Sequence, residues 1–421
     1  MATKVEKNKK KRDRSRRQHD EYIRKLAVQN EFNAALKRVL IALNIDPALF
    51  RQLPDDLKKK FLQRRTRSVR LVVSDGIKPS RRVLDHMRFT ISGWLAEVKA
   101  PVLPGYGEVT LEDYYTAGLT LFFHFYNEKN LRKEEIRIRQ ILFPLIDPFI
   151  HDNNPPLKIF DLLLQALGSM HSRINQSFFY LNHLPYSWGS GPTYRISSSA
   201  ILYQQKAEIR NVFSDGNARP AYRVGWPIVK RGVNWLKLSA RNLGIDSSFA
   251  DLRMDVYAQS HVFIRLRERL NTLYPHESHL MLFTSFLVME QTPAVYKNSI
   301  LIPAIHSDVR MGYFPIEIVD GMILVKTFLF ITNSGTPEGD RLDKELHTGK
   351  LEKEFLNIDK LSTFVNTDLP KDPKIREIFE KVGLGALCTL NPKKFTRIDK
   401  VWTGYAADFM KYMCVADRDY C

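Results

Sequence analysis

The chain has 421 residues, 44% of them hydrophobic, so it can build more than one core and is too apolar to be mostly disordered. Lysines and arginines number 64 against 46 aspartates and glutamates, a formal charge of +18 that points to an anionic partner such as nucleic acid. The three cysteines, Cys388, Cys414 and Cys421, form no CxxC pair, which excludes a disulfide scaffold and a cysteine-rich zinc centre; no apolar run approaches a membrane span.

In chain order, residues 1–19 form a basic arm with Lys9, Lys10, Lys11 and Arg12 at its centre and only Glu6 and Asp13 opposing them. Such a block is expected to stay disordered until it meets phosphate. The charged N-terminus lacks a secretion signal, so a cytoplasmic protein is expected. Residues 20–185 read as a helical domain, its first helix marked by Leu26, Val39, Leu40 and Leu43. A second basic cluster, Lys58, Lys59, Lys60, Arg64, Arg65, Arg67 and Arg70, is interrupted by Leu57, Phe61 and Leu62. It is expected to track a phosphate backbone without reading sequence, because no helix-turn-helix, zinc-finger or RNA-recognition signature accompanies it. Thr110 to Asp113 resembles a capping box, and Tyr115, Leu119, Phe122, Phe123 and Tyr126 supply aromatic core positions. His171, Arg173 and His183 fit no triad or metal spacing and read as surface or interhelical residues.

Residues 186–198, with Gly189, Gly191 and Pro192, read as a linker. Residues 199–341 then predict an α+β module. Ser199–Phe213 looks helical, while Tyr222–Trp226 and Trp235–Leu238 look strand-like. From Met254 to Gln259 apolar and polar residues alternate as in a strand. Ser260 suits the N-cap of a helix on which Val262, Leu266, Leu270 and Leu273 share one face. A second helix is expected at about Ser278–Glu290, then short antiparallel strands with Asp320-Gly321 as a hairpin turn. Residues 342–421 read as a C-terminal helical extension, with an amphipathic helix at Lys374–Val382 and Trp402, Tyr405, Phe409 and Tyr412 at helical spacing. The fold class expected is therefore α+β, a helical N-terminal domain followed by a strand-helix-helix-antiparallel-sheet module.

His261, Arg265 and Arg269 recur every fourth residue, so one imidazole and two guanidiniums share a stripe that is rich in donors. His261-x3-Arg265-x3-Arg269, at a strand-to-helix junction ahead of a meander, resembles the HA-x-x-R-x-x-x-R motif of small RelE-like toxins. These belong to the barnase, EndoU, colicin and RelE group of metal-independent ribonucleases. Val262 stands where that pattern has alanine, and the likeness covers about Leu252–Gly339. It implies a catalytic set in which His261 is acid or base, Arg265 and Arg269 clamp phosphate, and Lys326 and Thr332, with Thr327 and Asn333, complete the cleft. No cofactor and no metal are expected. His276, His279 and His306 lack a carboxylate or cysteine at ligand spacing, and no phosphate loop, serine-hydrolase elbow or dinucleotide fingerprint is present.

Three functions stay open at this point. One is an intracellular RNA-acting endoribonuclease, toxin-like or borne on a mobile element, with a protein inhibitor or partner. Another is a non-catalytic nucleic-acid-binding or scaffold protein, and the third is a structural protein whose charge only aids solubility. RNA is the favoured partner and no membrane association is expected.

Overall fold

The computed structural model describes residues 4–65, 67–127, 131–133, 135–142, 154–187, 197–214, 216–228, 231–245, 250–288 and 293–395. The α+β class is observed, with a helical N-terminal region followed by strands and sheets. The chain divides into two compact units, residues 1–167 with 180–203, and residues 168–179 with 204–421. No helix among the described residues is long and apolar enough to cross a membrane.

In the first unit a single helix runs Lys4–Ala42, so the expected disordered arm with a boundary at residue 19 is corrected. Lysine, arginine, glutamate and alanine are good helix formers. The helix is also anchored downstream, where Phe32, Ala35, Leu36, Val39 and Leu40 bury one stripe at three- and four-residue spacing. Arg38 forks onto the buried Asp113 carboxylate through two hydrogen bonds of 2.6 Å. Short helices at Pro47–Arg51 and Asp55–Arg64 lead to strand β1 (Arg67–Val73) and the helix Arg81–Glu97, whose N-terminus is capped by Ser80.

The helical reading of residues 20–185 is corrected by β1 and by β2 (Lys99–Pro101), β3 (Glu108–Thr110) and β4 (Ser177–Ser187). The helix expected over Ser199–Phe213 is likewise strand, β5 (Ser197–Lys206) followed by β6 (Ile209–Ser214). In β5 Ala200 and Leu202 are buried and Ile201 and Tyr203 are half-buried, a period of two that a helical reading overlooks. The order in this sheet is β1-β5-β4, with β1 parallel to β5. The expected linker at 186–198 therefore joins two strands of one sheet instead of two domains, and residues 188–196 lie outside the described residues. His183 is buried, between the Tyr115 hydroxyl at 2.9 Å and Asp161 at 2.9 Å.

The second unit holds β6, β7 (Asn217–Arg223), β8 (Gly225–Ile228), β9 (Gly232–Trp235), β10 (Lys237–Ser239) and β11 (Arg253–Gln259). Helices Ser260–Arg269 and Pro275–Leu287 follow, then β12 (Ala294–Tyr296), β13 (Ser299–His306), β14 (Val309–Val319), β15 (Met322–Val325) and β16 (Leu329–Phe330). Among the described residues the main sheet runs β12-β13-β14-β15-β11-β7-β6, with β10 on β11 and β16 on β14. Three hairpins build one side of it through the two-residue turns Lys297-Asn298, Ser307-Asp308 and Asp320-Gly321. All six turn residues have positive φ, the conformation that matches the twist of flanking strands. Gly312 is required for a different reason: a Cβ there would collide with the Leu329 carbonyl, where β16 crosses β14.

The expected C-terminal extension from residue 342 is also corrected. Leu342, Leu346, Ile358, Phe364, Ile375 and Phe379 share one core with Val256, Val262, Leu266, Ile302 and Phe314. The helices after β16 therefore complete the unit's core, as an amphipathic stripe must do beside an otherwise open sheet. Trp402, Tyr405, Phe409 and Tyr412 lie outside the described residues.

Candidate functional site

β11 and β15 are neighbouring parallel strands, with Val256 opposite Ile323 and Ala258 opposite Val325. Next come Gln259, the last residue of β11, and Lys326, the first residue after β15, at the carboxyl ends where connecting segments diverge and leave a crevice. The helix Ser260–Arg269 starts there directly. Its N-cap is Gln259 and not the expected Ser260, and no side chain caps it. The first-turn N–H groups and the helix dipole thus add positive potential at this end.

A cavity of about 360 Å³ occupies the crevice. His261, Arg265 and Arg269 line it from the helix, and Lys326, Thr327, Phe328 and Leu329 line it from the segment after β15. Gln259, Asn333, Ser334, Arg219 from β7 and Lys350 from the helix Lys350–Phe355 complete the wall, and no aspartate or glutamate lines it among the described residues. His261, Arg265 and Lys326, expected to act together, are therefore brought to one concave surface.

Their partners define what each can do. Arg265 Nε donates to His261 Nε2 across 3.2 Å, which assigns the lone pair to Nε2. Burial, then the Arg265 charge, lowers the pKa of His261 and favours its neutral form. The Arg265 Nη1 group is paired with Glu268 at 2.7 Å, and Lys326 Nζ with Glu317 at 3.2 Å. Arg219 and Lys350 are exposed at the cavity and touch no carboxylate among the described residues. Gln259 is only 2% exposed, and its amide nitrogen has no hydrogen-bond partner among the described residues.

Two expected catalytic residues are corrected. Arg269 forms part of the wall but is buried and ion-paired with Asp359 and, at 3.1 Å, with Glu354. Its charge is neutralised inside the protein, so it holds structure instead of clamping a phosphate. Thr332 is fully buried and outside the cavity: its hydroxyl donates to the Ile358 carbonyl at 2.8 Å and its own carbonyl accepts from Lys353 Nζ at 2.7 Å. Lys353 also reaches the Gly339 carbonyl and Asp343, which fixes the segment behind the cavity. Thr327 and Asn333 do line the cavity, Asn333 Oδ1 accepting from the Phe330 N–H at 2.7 Å.

Several cations of the basic cluster in the first unit have partners within the protein. Lys58 pairs with Asp55 at 3.3 Å, and Arg64 lies 3.1 Å from His124 Nδ1, whose Nε2 meets the buried Glu135 at 2.7 Å. Arg65 donates to the Leu62 carbonyl, while Lys60 is half-buried and Lys59 is exposed. Lys9, Lys10, Lys11 and Arg12 have helical backbone, but their side chains, like that of Arg67, lie outside the described residues.

His279 accepts a hydrogen bond from the Ile174 N–H at 3.0 Å, and burial pushes its pKa down to about 3. His306 packs edge-on against Phe395. Among the described residues no group of three or more histidine, cysteine, aspartate or glutamate side chains is arranged to hold a metal ion.

Comparison with protein-family models, curated proteins and solved structures finds no match. The site therefore rests on its own geometry. Sequence reasoning missed Gln259, Arg219 and Lys350. The first was read only as one step of an alternating strand. The other two lie far away in the chain, and no local pattern connects them to His261.

Proposed function

We propose that this chain acts on RNA through the cationic cavity, where a phosphate group is held at the carboxyl ends of β11 and β15 with His261 beside it. One observation carries the reading: four permanent cations that are not neutralised in the interior, Arg219, Arg265, Lys326 and Lys350, line one cavity with His261, with no carboxylate among the described residues of its wall. Positive charge gathered at a helix N-terminus and the ends of parallel strands attracts phosphate oxygens. A neutral His261 whose Nε2 is released when Arg265 turns to the phosphate would be the base for the 2′-hydroxyl in metal-independent cleavage.

Incubating the purified protein with single-stranded RNA in EDTA tests the enzymatic form of this proposal. Fragments ending in a 2′,3′-cyclic phosphate are expected, and His261→Ala with Arg265→Ala is expected to abolish them. Equal cleavage by that double variant would refute the role given to His261. The internal pairing of Arg269 favours a second reading, in which the same cavity binds RNA without cutting it. Salt-sensitive RNA binding with no scission would select it.

A further inference from the structure

The donors around the cavity reach inward to a buried one. Gln259 ends β11 with its amide nitrogen almost wholly inaccessible and without a partner, and it also lines the cavity. Leaving a buried amide donor unpaired is costly, and a ligand oxygen that reached it would recover that cost. An internal phosphodiester has only two non-bridging oxygens and a chain leaving on both sides. A phosphomonoester has three free oxygens, carries charge close to −2 at neutral pH and has one chain exit. A terminal group is thus the form that can place one oxygen on Gln259 while the others face Arg265, Lys326 and the N–H groups opening helix Ser260–Arg269.

The charge balance of the cavity favours an anion. Three of the wall's five cations pair with four carboxylates, Glu268, Glu317, Glu354 and Asp359, so 5 − 4 leaves a net charge of +1 with His261 neutral. Protonating His261 raises it to +2. Arg219 and Lys350, the cations that touch no carboxylate, supply the excess at the cavity.

We propose that the cavity is a site for a terminal phosphomonoester of a nucleotide or RNA end, and that Gln259 is the residue that recognises its deepest oxygen. The proposal rests on the second reading above, RNA binding without cutting, because a terminal phosphate in the cavity leaves no diester beside His261 to cleave. It makes Gln259 a specificity-determining residue, because a site built to donate a hydrogen bond rejects an analogue that lacks the acceptor.

The test is fluorescence anisotropy of the full chain with one single-stranded RNA sequence carrying a 5′-phosphate, a 3′-phosphate or hydroxyl ends, at fixed salt. One phosphorylated form is expected to bind at least about tenfold tighter than the hydroxyl form, and Gln259→Leu to reduce that preference to below about threefold. This variant removes an unpartnered amide, so it is expected to fold. Competition by a nucleoside 5′-monophosphate separates the two sources of the ligand: displacement at matching concentration assigns the site to free nucleotides, and weak displacement assigns it to RNA ends. Equal binding of all three RNAs, still weakened by Arg219→Ala with Lys350→Ala, would overturn the terminal-phosphate inference and leave the RNA-acting reading standing. Binding of all three unchanged by that double variant would remove both.

Discussion

Replacing Arg269 with alanine separates a structural guanidinium from a phosphate clamp. The Arg269 side chain is 7% exposed, and of its two carboxylate partners Asp359 is 0% exposed while Glu354 is 36% exposed. Once the guanidinium is gone, Glu354 can turn to water but Asp359 stays as an unpaired charge in the interior. Breaking a buried pair from one side costs roughly 3–5 kcal/mol. With a urea dependence of about 1–3 kcal/mol per molar, the unfolding midpoint of the second unit is expected to fall by about 1 M or more. Removing both charges in Arg269→Ala with Asp359→Ala is expected to recover much of the loss, because no uncompensated carboxylate is then left. The assay is urea unfolding followed by circular dichroism for the wild type, both single variants and the double. A loss below about 1 kcal/mol for Arg269→Ala, or a double variant as unstable as the sum of the singles, would refute the structural role.

Further outcomes follow from the same interactions. Thr332→Val strands the Ile358 carbonyl in the interior and is expected to lower stability by about 1–3 kcal/mol in the same assay, with RNA binding unchanged; abolished binding at unchanged stability would return Thr332 to the site. His279 is held near a pKa of about 3 by burial, below the 6.5 of the free side chain. The unfolded chain therefore takes up the proton first. The stabilising contribution of His279 is complete above pH 6.5 and is lost as the pH falls toward 3, by at most about 1.4 kcal/mol per pH unit. Urea midpoints measured across that window should show a shallower decline in His279→Gln, and an unchanged slope would exclude His279 as the source.

Local chemistry made part of this molecule readable from its sequence. The alternation Met254–Gln259, the apolar stripe Val262, Leu266 and Leu270, and the Asp320-Gly321 turn each carry a short-range signal, and each appears in the fold. The errors arose where tertiary context decides. Residues Ser199–Phe213 became strands because neighbouring strands pair with them. Residues from Leu342 onward joined the core because the sheet needed covering. The site divided in the same way. His261 and Arg265 share a cavity because one helix presents both, but Arg269, on the next turn of that stripe, meets Asp359 and Glu354, whose approach no spacing rule reveals. Arg219 and Lys350 arrive from opposite sides of the chain for the same reason.

The salt dependence of RNA binding tests the cationic cavity most directly. Affinity of single-stranded RNA for the wild type and for Arg219→Ala with Lys350→Ala should be measured from low to moderate salt. The double variant is expected to bind more weakly at every salt concentration, with the slope of log affinity against log salt reduced by about 1.4, about 0.7 for each phosphate that is no longer neutralised. An unchanged slope together with unchanged affinity would show that RNA is held elsewhere and would contradict the assignment of the cavity.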